Sequence, residues 1–136
     1  MKAQTKRLLH VDEHREDRAR IKASLLEHMP ELEIHEACSG LEALQVIQSL
    51  QLDCVLLDLK LRDIVGMELV RLIRELQDKP LPIIVWTGLK HDILRQAALS
   101  MGIHCHLLKR RDEREVVLAI QRALADGMMA HKSFQA

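Results

Sequence analysis

The stretch Cys54-Val55-Leu56-Leu57-Asp58-Leu59-Lys60-Leu61-Arg62-Asp63-Ile64-Val65-Gly66 decides the fold. Four apolar residues run without alternation into one carboxylate, as expected of a strand buried on both faces and followed by a polar loop. Three further segments have the same shape. Arg7-Leu8-Leu9-His10-Val11 runs into Asp12-Glu13, Ile83-Ile84-Val85-Trp86 into Thr87, and His104-Cys105-His106-Leu107-Leu108 into Lys109. If the strands are parallel, every one of these reactive side chains lies at the same end of one sheet. That end is where open α/β sheets place their sites.

Helical patterns fill the gaps between the strands. Glu16 to His28 carries Ile21 and Leu25 four apart and is followed by Pro30. Leu32 to Ala37 reads as a short second strand with mixed polarity. Leu41, Leu44 and Ile47 mark a helix entered through Ser39-Gly40, and Leu69, Leu72, Ile73 and Leu76 mark another after Gly66. Leu94, Ala97, Ala98 and Met101 precede Gly102, a helix stop, and Val117, Ile120 and Leu124 belong to a last helix running toward Gly127. Strand and helix alternate throughout, the pattern of a parallel sheet covered by helices. The strands around residues 55 and 84 are apolar throughout, whereas the second and fifth mix polar residues as edges do. This predicts a three-layer, doubly wound α/β domain with strand order 2-1-3-4-5. Asp12, Glu13 and Asp58 then meet where the chain reverses direction.

At 136 residues, 48% hydrophobic and 29% charged, the chain suits one globular domain. Twenty basic residues cancel twenty acidic ones, so nothing in the overall charge attracts nucleic acid or an anionic membrane. No stretch has the length of a signal peptide core or a membrane span, and a cytoplasmic location is expected. Cys38, Cys54 and Cys105 form neither a zinc motif nor a disulfide framework, and are read as reduced core cysteines. Trp86 and Phe134 are the only aromatic residues, which disfavours base or flavin stacking. Trp86 also provides an optical probe beside Thr87.

The acid pair Asp12-Glu13 opposite Asp58 suits a hard cation with oxygen ligands. Mg²⁺ takes one or two carboxylates and leaves room for waters and phosphate oxygens. Beside such a cation Asp58 can stay ionised and attack phosphorus, as carboxylates do in aspartyl-phosphate chemistry. Lys109 would offset charge on the phosphoryl oxygens and Thr87 would donate a hydrogen bond to one. Phosphoryl transfer needs mainly positioning and electrostatic stabilisation, so these parts suffice.

The combined motifs resemble the receiver domains of two-component response regulators, in their chemotaxis-regulator-like, single-domain form. The matching residues are Leu8-Leu9-His10-Val11-Asp12-Glu13, the run from Leu56 to Leu69 around Asp58, Ile84-Val85-Trp86-Thr87-Gly88, and Leu107-Leu108-Lys109. The resemblance extends from Lys6 to about Ala125. It implies a flavodoxin-like (βα)5 fold with Asp58 as phosphoacceptor. Mg²⁺ would be held by Asp12, Glu13, Asp58 and the backbone carbonyl of Lys60. Thr87 and His106 would be the switch residues and Lys109 the cationic partner. Gly66 would allow the tight loop after the site, and Lys60 and Leu89 occupy positions that tune phosphoryl lifetime or are solvated loop residues.

The chain departs from the commonest family pattern at four places. Glu13 replaces an aspartate, Arg62 and Arg110 stand where prolines are frequent, and His106 stands where an aromatic is usual. Arg110 makes the usual cis bond after Lys109 impracticable, and Arg62 predicts a looser loop after Asp58.

The resemblance implies a histidine kinase or phosphotransfer protein as phosphodonor. It implies output through a downstream protein bound at the fourth helix, fifth strand and fifth helix, and it allows a homodimer. One receiver domain is expected over residues 1–136, with 1–5 and 127–136 as flexible tails and no output domain after the fifth helix. The protein is then a phosphoacceptor rather than an enzyme on separate substrates. Alternatives are a phosphorylation-independent scaffold, a phospho-shuttle in a relay, and a haloacid-dehalogenase-like phosphatase. The last wants a second acid two residues after the nucleophile, where Lys60 stands. His104 and His106 have metal-binding spacing, but an edge strand carrying one switch residue explains them more simply.

Overall fold

Strand and helix alternate without interruption: β1 (Arg7–Val11), α1 (Arg15–His28), β2 (Glu33–Ala37), α2 (Gly40–Ser49), β3 (Cys54–Leu57), α3 (Gly66–Leu76), β4 (Ile83–Thr87), α4 (Asp92–Ser100), β5 (Cys105–Leu108) and α5 (Arg114–Gln135). The structure is a computed structural model describing residues 5–135 apart from 78, 91, 110 and 111, with only the helical backbone for 126–135. The strands form one parallel sheet in the order β2-β1-β3-β4-β5, as the apolar and mixed strand compositions predict. β3 and β4 are buried at every residue, while β2 and β5 at the edges are mostly half-buried.

The pleat divides the interior in two, because successive side chains point to opposite faces. Leu9, Val11, Val55, Leu57, Ile83 and Val85 pack with Ile47, Leu69 and Ile73, under α2, α3 and α4. Leu8, Cys54, Leu56, Ile84 and Trp86 pack with Ile21, Leu25, Val117 and Ile120, under α1 and α5. Each fully buried Leu or Ile contributes roughly 1.5–3 kcal/mol of transfer free energy, enough in sum to fix which face each helix covers.

Local chemistry sets the helix ends. Ser39 caps α2 by accepting the Glu42 N–H at 3.1 Å, which satisfies one of the orphan donors of the first turn. Gly102, at φ 79°, is the one positive-φ residue among those described and turns the chain out of α4. Gly66 is required for a different reason. A Cβ there would lie 2.4 Å from the carbonyl oxygen of Leu59, so only glycine lets α3 start against the loop that follows Asp58.

Some expectations need correction. Leu41 is 61% exposed, so α2 buries Ala43 rather than Leu41 beside Ile47, and Leu76 at the end of α3 is 43% exposed. Cys54 is buried, but Cys105 is half-buried and Cys38 is exposed, its Sγ 2.8 Å from Glu42 Oε2; all three thiols are free. The loop carrying Arg62 is held on two sides. The Arg62 N–H donates to Glu13, and the Asp63 carboxylate accepts from the N–H groups of Gly40 and Leu41 at 3.0 and 2.9 Å. The backbone of α5 continues past Gly127 to Gln135. The expectation for Arg110 falls outside the described residues.

Candidate functional site

The sheet's own ladder positions three of the site residues. Asp12, Asp58 and Lys109 each follow the last residue of a strand, and each backbone N–H bonds to the neighbouring strand. Asp12 N donates to Ala37 O at 3.0 Å, Asp58 N to Val11 O at 2.9 Å, and Lys109 N to Thr87 O at 2.7 Å. Their side chains therefore leave the same sheet end. Lys109 Nζ lies 2.7 Å from Asp12 Oδ2 and 2.9 Å from Asp58 Oδ2, with Asp12 fully buried and Asp58 2% exposed.

A third carboxylate joins them: Asp17, in the first turn of α1, lies 2.8 Å from the same ammonium. His14 approaches from the solvent side. Its Nδ1 is 2.9 Å from Asp12 Oδ1 and 3.8 Å from Asp58 Oδ2. Asp12, His14 and Asp58 each present a ligand atom, all within 4.8 Å of one another. Glu13 does not take part. Its carboxylate accepts the Arg62 N–H, and its Oε2 lies 3.4 Å from Arg62 Nε.

Charge in this pocket is set by opposing effects. Burial disfavours the Asp12 carboxylate, but His10, Lys109 and the His14 N–H outweigh it and hold Asp12 well below the usual carboxylate range. His10 Nε2 is 3.7 Å from Asp12 Oδ2, beyond hydrogen-bond reach, so Lys109 at 2.7 Å is the stronger support. Burial likewise disfavours the Lys109 ammonium, and hydrogen bonds to Asp12, Asp17 and Asp58 reverse this, raising it above its ordinary value. The ammonium also lies 5.0 Å from the centroid of Trp86, whose ring is tilted 50° to His10.

Thr87 is fully buried, and its hydroxyl accepts the Leu89 N–H at 3.3 Å. Asp58 Oδ1 accepts the N–H of Lys60, whose side chain is exposed, at 3.1 Å. His106 lies away from the carboxylates, in a groove of about 760 Å³ lined also by Lys90, Ile93, Arg95 and Glu115. Its Nε2 is buried without a hydrogen-bond partner among the described residues. Burial, then the nearby Arg95, keeps its pKa below the ordinary histidine value. The structure thus brings Asp12, Asp58 and Lys109 into direct contact, leaves Glu13 and Thr87 bonded to other partners, and places His106 in a separate groove.

A five-stranded doubly wound sheet with buried carboxylates at its switch point and a lysine after its last strand is the architecture of a receiver. The chain belongs to the response regulator receiver domain family, whose pattern it matches over residues 8–121. It is 32% identical over 117 residues to the transcriptional regulatory protein SrrA of Staphylococcus aureus, a match covering 86% of this chain and 47% of that one. The chain thus spans about half the length of the curated relatives it matches. Among solved structures, a signal receiver domain of an HD domain-containing protein from Pseudomonas fluorescens Pf-5 superposes with a TM-score of 0.85 at 26% identity, covering 97% of this chain and 96% of that one. A CheY-like receiver domain protein from Methanospirillum hungatei JF-1 gives 0.84 at 24% identity over 93% and 99% of the two chains, which speaks for the fold.

No described helix is long and apolar enough to cross a membrane.

Proposed function

We propose that Asp58 accepts a phosphoryl group from a histidine kinase or phosphotransfer protein, and that the phosphorylated domain signals through protein contact. The single observation that carries this reading is Lys109 Nζ holding Asp12 and Asp58 at once in a buried pocket. An ammonium already placed against the nucleophile is ready to meet the oxygens of an incoming phosphoryl group. On this reading the protein promotes only its own phosphorylation and hydrolysis, and acts in the cytoplasm.

The donor set suits Mg²⁺: two buried carboxylates converge beside solvent, the arrangement that ion takes with its waters. Asp12, Asp58 and the Lys60 carbonyl would hold it, with Glu13 joining only if it leaves Arg62. The ion supplies charge neutralisation at the phosphoryl oxygens. The chain's own residues do the rest. The Lys60 N–H orients Asp58, Asp17 helps hold Lys109 in place, and the Thr87 hydroxyl, which accepts the Leu89 N–H, keeps its own proton to donate to a phosphoryl oxygen. Movement of Thr87 in β4 would be felt in the paired strand β5, where His106 opens on the groove beside α4. The face formed by α4, β5 and α5 is therefore the proposed contact surface for a downstream protein.

Intact-mass measurement after incubation with acetyl phosphate tests this directly. The expected result is a Mg²⁺-dependent gain of one phosphoryl group in the wild type and none in Asp58→Asn. An equal gain in Asp58→Asn, or none in either protein with Mg²⁺ present, would overturn the reading in favour of a phosphorylation-independent scaffold.

A further inference from the structure

Glu13 and His14 have exchanged the roles their order in the chain suggests. Glu13 is drawn off by the backbone N–H and guanidinium of Arg62, while the half-exposed imidazole of His14 turns toward the two buried carboxylates. We propose that His14 Nδ1 is a metal ligand of this pocket, so that Asp12, Asp58 and His14 together form a site for a divalent transition-metal ion with affinity for imidazole, Zn²⁺ being the probe. This rests on the receiver reading of the Asp12–Asp58 pocket and deepens it by naming the ion class.

The three ligand atoms lie within 4.8 Å of one another, and an entering ion would replace the present hydrogen bond between His14 Nδ1 and Asp12 Oδ1. Ligand atoms bound at roughly 2.1 Å lie about 3 Å apart at right angles and about 3.4 Å apart in a tetrahedron. The observed separations of 2.9 and 3.8 Å from Nδ1 to the two carboxylates bracket these values. Nitrogen donors favour zinc and the later first-row metals, whereas carboxylates, carbonyls and water suit Mg²⁺. An imidazole in place of a third carboxylate therefore raises the affinity for such ions relative to Mg²⁺, which still fits the oxygen donors, and removes one negative charge from a pocket already holding Asp12, Asp17 and Asp58. Binding requires the Nδ1 lone pair to face the ion, with the proton carried on Nε2. Lys109, now bonded to both carboxylates, must shift as the ion enters, and Trp86 senses that shift from 5.0 Å.

Titration of the wild type and His14→Ala with Zn²⁺ and separately with Mg²⁺, followed by Trp86 fluorescence, gives the ratio of the two affinities. The ratio is expected to fall roughly tenfold or more in the variant. Nitrogen NMR of the wild-type imidazoles supplies a readout that needs no variant: the His14 Nδ1 resonance takes the large shift of direct coordination on adding Zn²⁺, and with Mg²⁺ moves only by the smaller change that follows loss of its contact with Asp12. An unchanged ratio, or a His14 resonance indifferent to Zn²⁺, overturns the proposal. Acetyl phosphate labelling of the wild type separates the two readings. Labelling on Asp58 together with an unresponsive His14 removes the metal inference alone, and a responsive His14 without labelling removes the phosphoacceptor inference alone.

Discussion

Replacing Lys109 by methionine removes the ammonium that touches Asp12, Asp17 and Asp58 together while keeping most of its apolar stem. Asp12 and Asp58 would then face each other within 4.8 Å, 0% and 2% exposed. At an effective dielectric of about 20, two unit charges at that distance repel by about 3.5 kcal/mol. Breaking a buried ion pair by deleting one partner costs about 3–5 kcal/mol, so the two routes agree on a loss near 3 kcal/mol. With a urea slope of about 2 kcal/mol per molar, the unfolding midpoint should drop by about 1.5 M at pH 7.5 without divalent ions. The pH dependence has a definite sign. Asp12 is depressed in the folded wild type, so its contribution is present above the ordinary carboxylate value and lost as pH falls below it. Lys109 is raised, so its contribution is complete below the ordinary lysine value and lost only above it. The wild type is therefore steady between these limits. In the variant the unpaired carboxylates take up a proton more readily, and the gap closes as pH falls toward 5. Millimolar Mg²⁺ should stabilise the variant more than the wild type, where Lys109 competes for the same oxygens. A midpoint change under about 0.5 M, or a gap indifferent to both pH and Mg²⁺, would refute the electrostatic account.

Three further outcomes are expected. Gly66→Ala places a methyl group against the Leu59 backbone and should cost about 3 kcal/mol in urea unfolding, the upper range for overpacking; a neutral result would show that the loop yields. Asp63→Ala unties the loop after Asp58 from the start of α2 and should cost about 1 kcal/mol near neutral pH. Bonds from the Gly40 and Leu41 N–H groups hold Asp63 below the usual carboxylate value, so wild type and variant should converge in thermal melts as pH falls below about 4. His106 is depressed by burial, so the folded state resists its protonation. Stability should fall as pH drops below the ordinary histidine value, and His106→Leu should flatten that part of the melting curve; equal slopes would show that His106 protonates freely.

The sheet order was legible because it rests on composition over whole strands, and Val55 to Leu57 can be apolar throughout only if covered on both faces. Asp12, Asp58 and Lys109 were legible as well, since a strand end dictates where the next side chain goes. Glu13 was not, because its direction is decided by Arg62, 49 residues away, through a backbone N–H that no pattern marks. His14 and Asp17 carry no such mark because they lie at the N-cap and in the first turn of α1 rather than directly at a strand end. A signal for them existed: they lie two and five residues after Asp12, in the stretch that turns from strand into first helical turn above the pocket. Leu41 does not mark the buried face of α2, because the large residues Leu41, Leu44, Val46 and Ile47 are spread around the helix, and Ala43 with Ile47 sets its phase more weakly than Leu69 with Ile73 sets that of α3.

The division of the interior by the pleat bears on how this sequence can diverge. Ile73 and Ile120 belong to packing clusters on opposite sides of one sheet, which share no residue among those described. Losses at separated sites without shared partners combine by simple addition. A lineage can therefore remodel the α1 and α5 side, one neighbour exchange at a time, without compensating changes under α2, α3 and α4. The carboxylates at the sheet's end inherit a fixed platform while the two halves beneath them drift at separate rates.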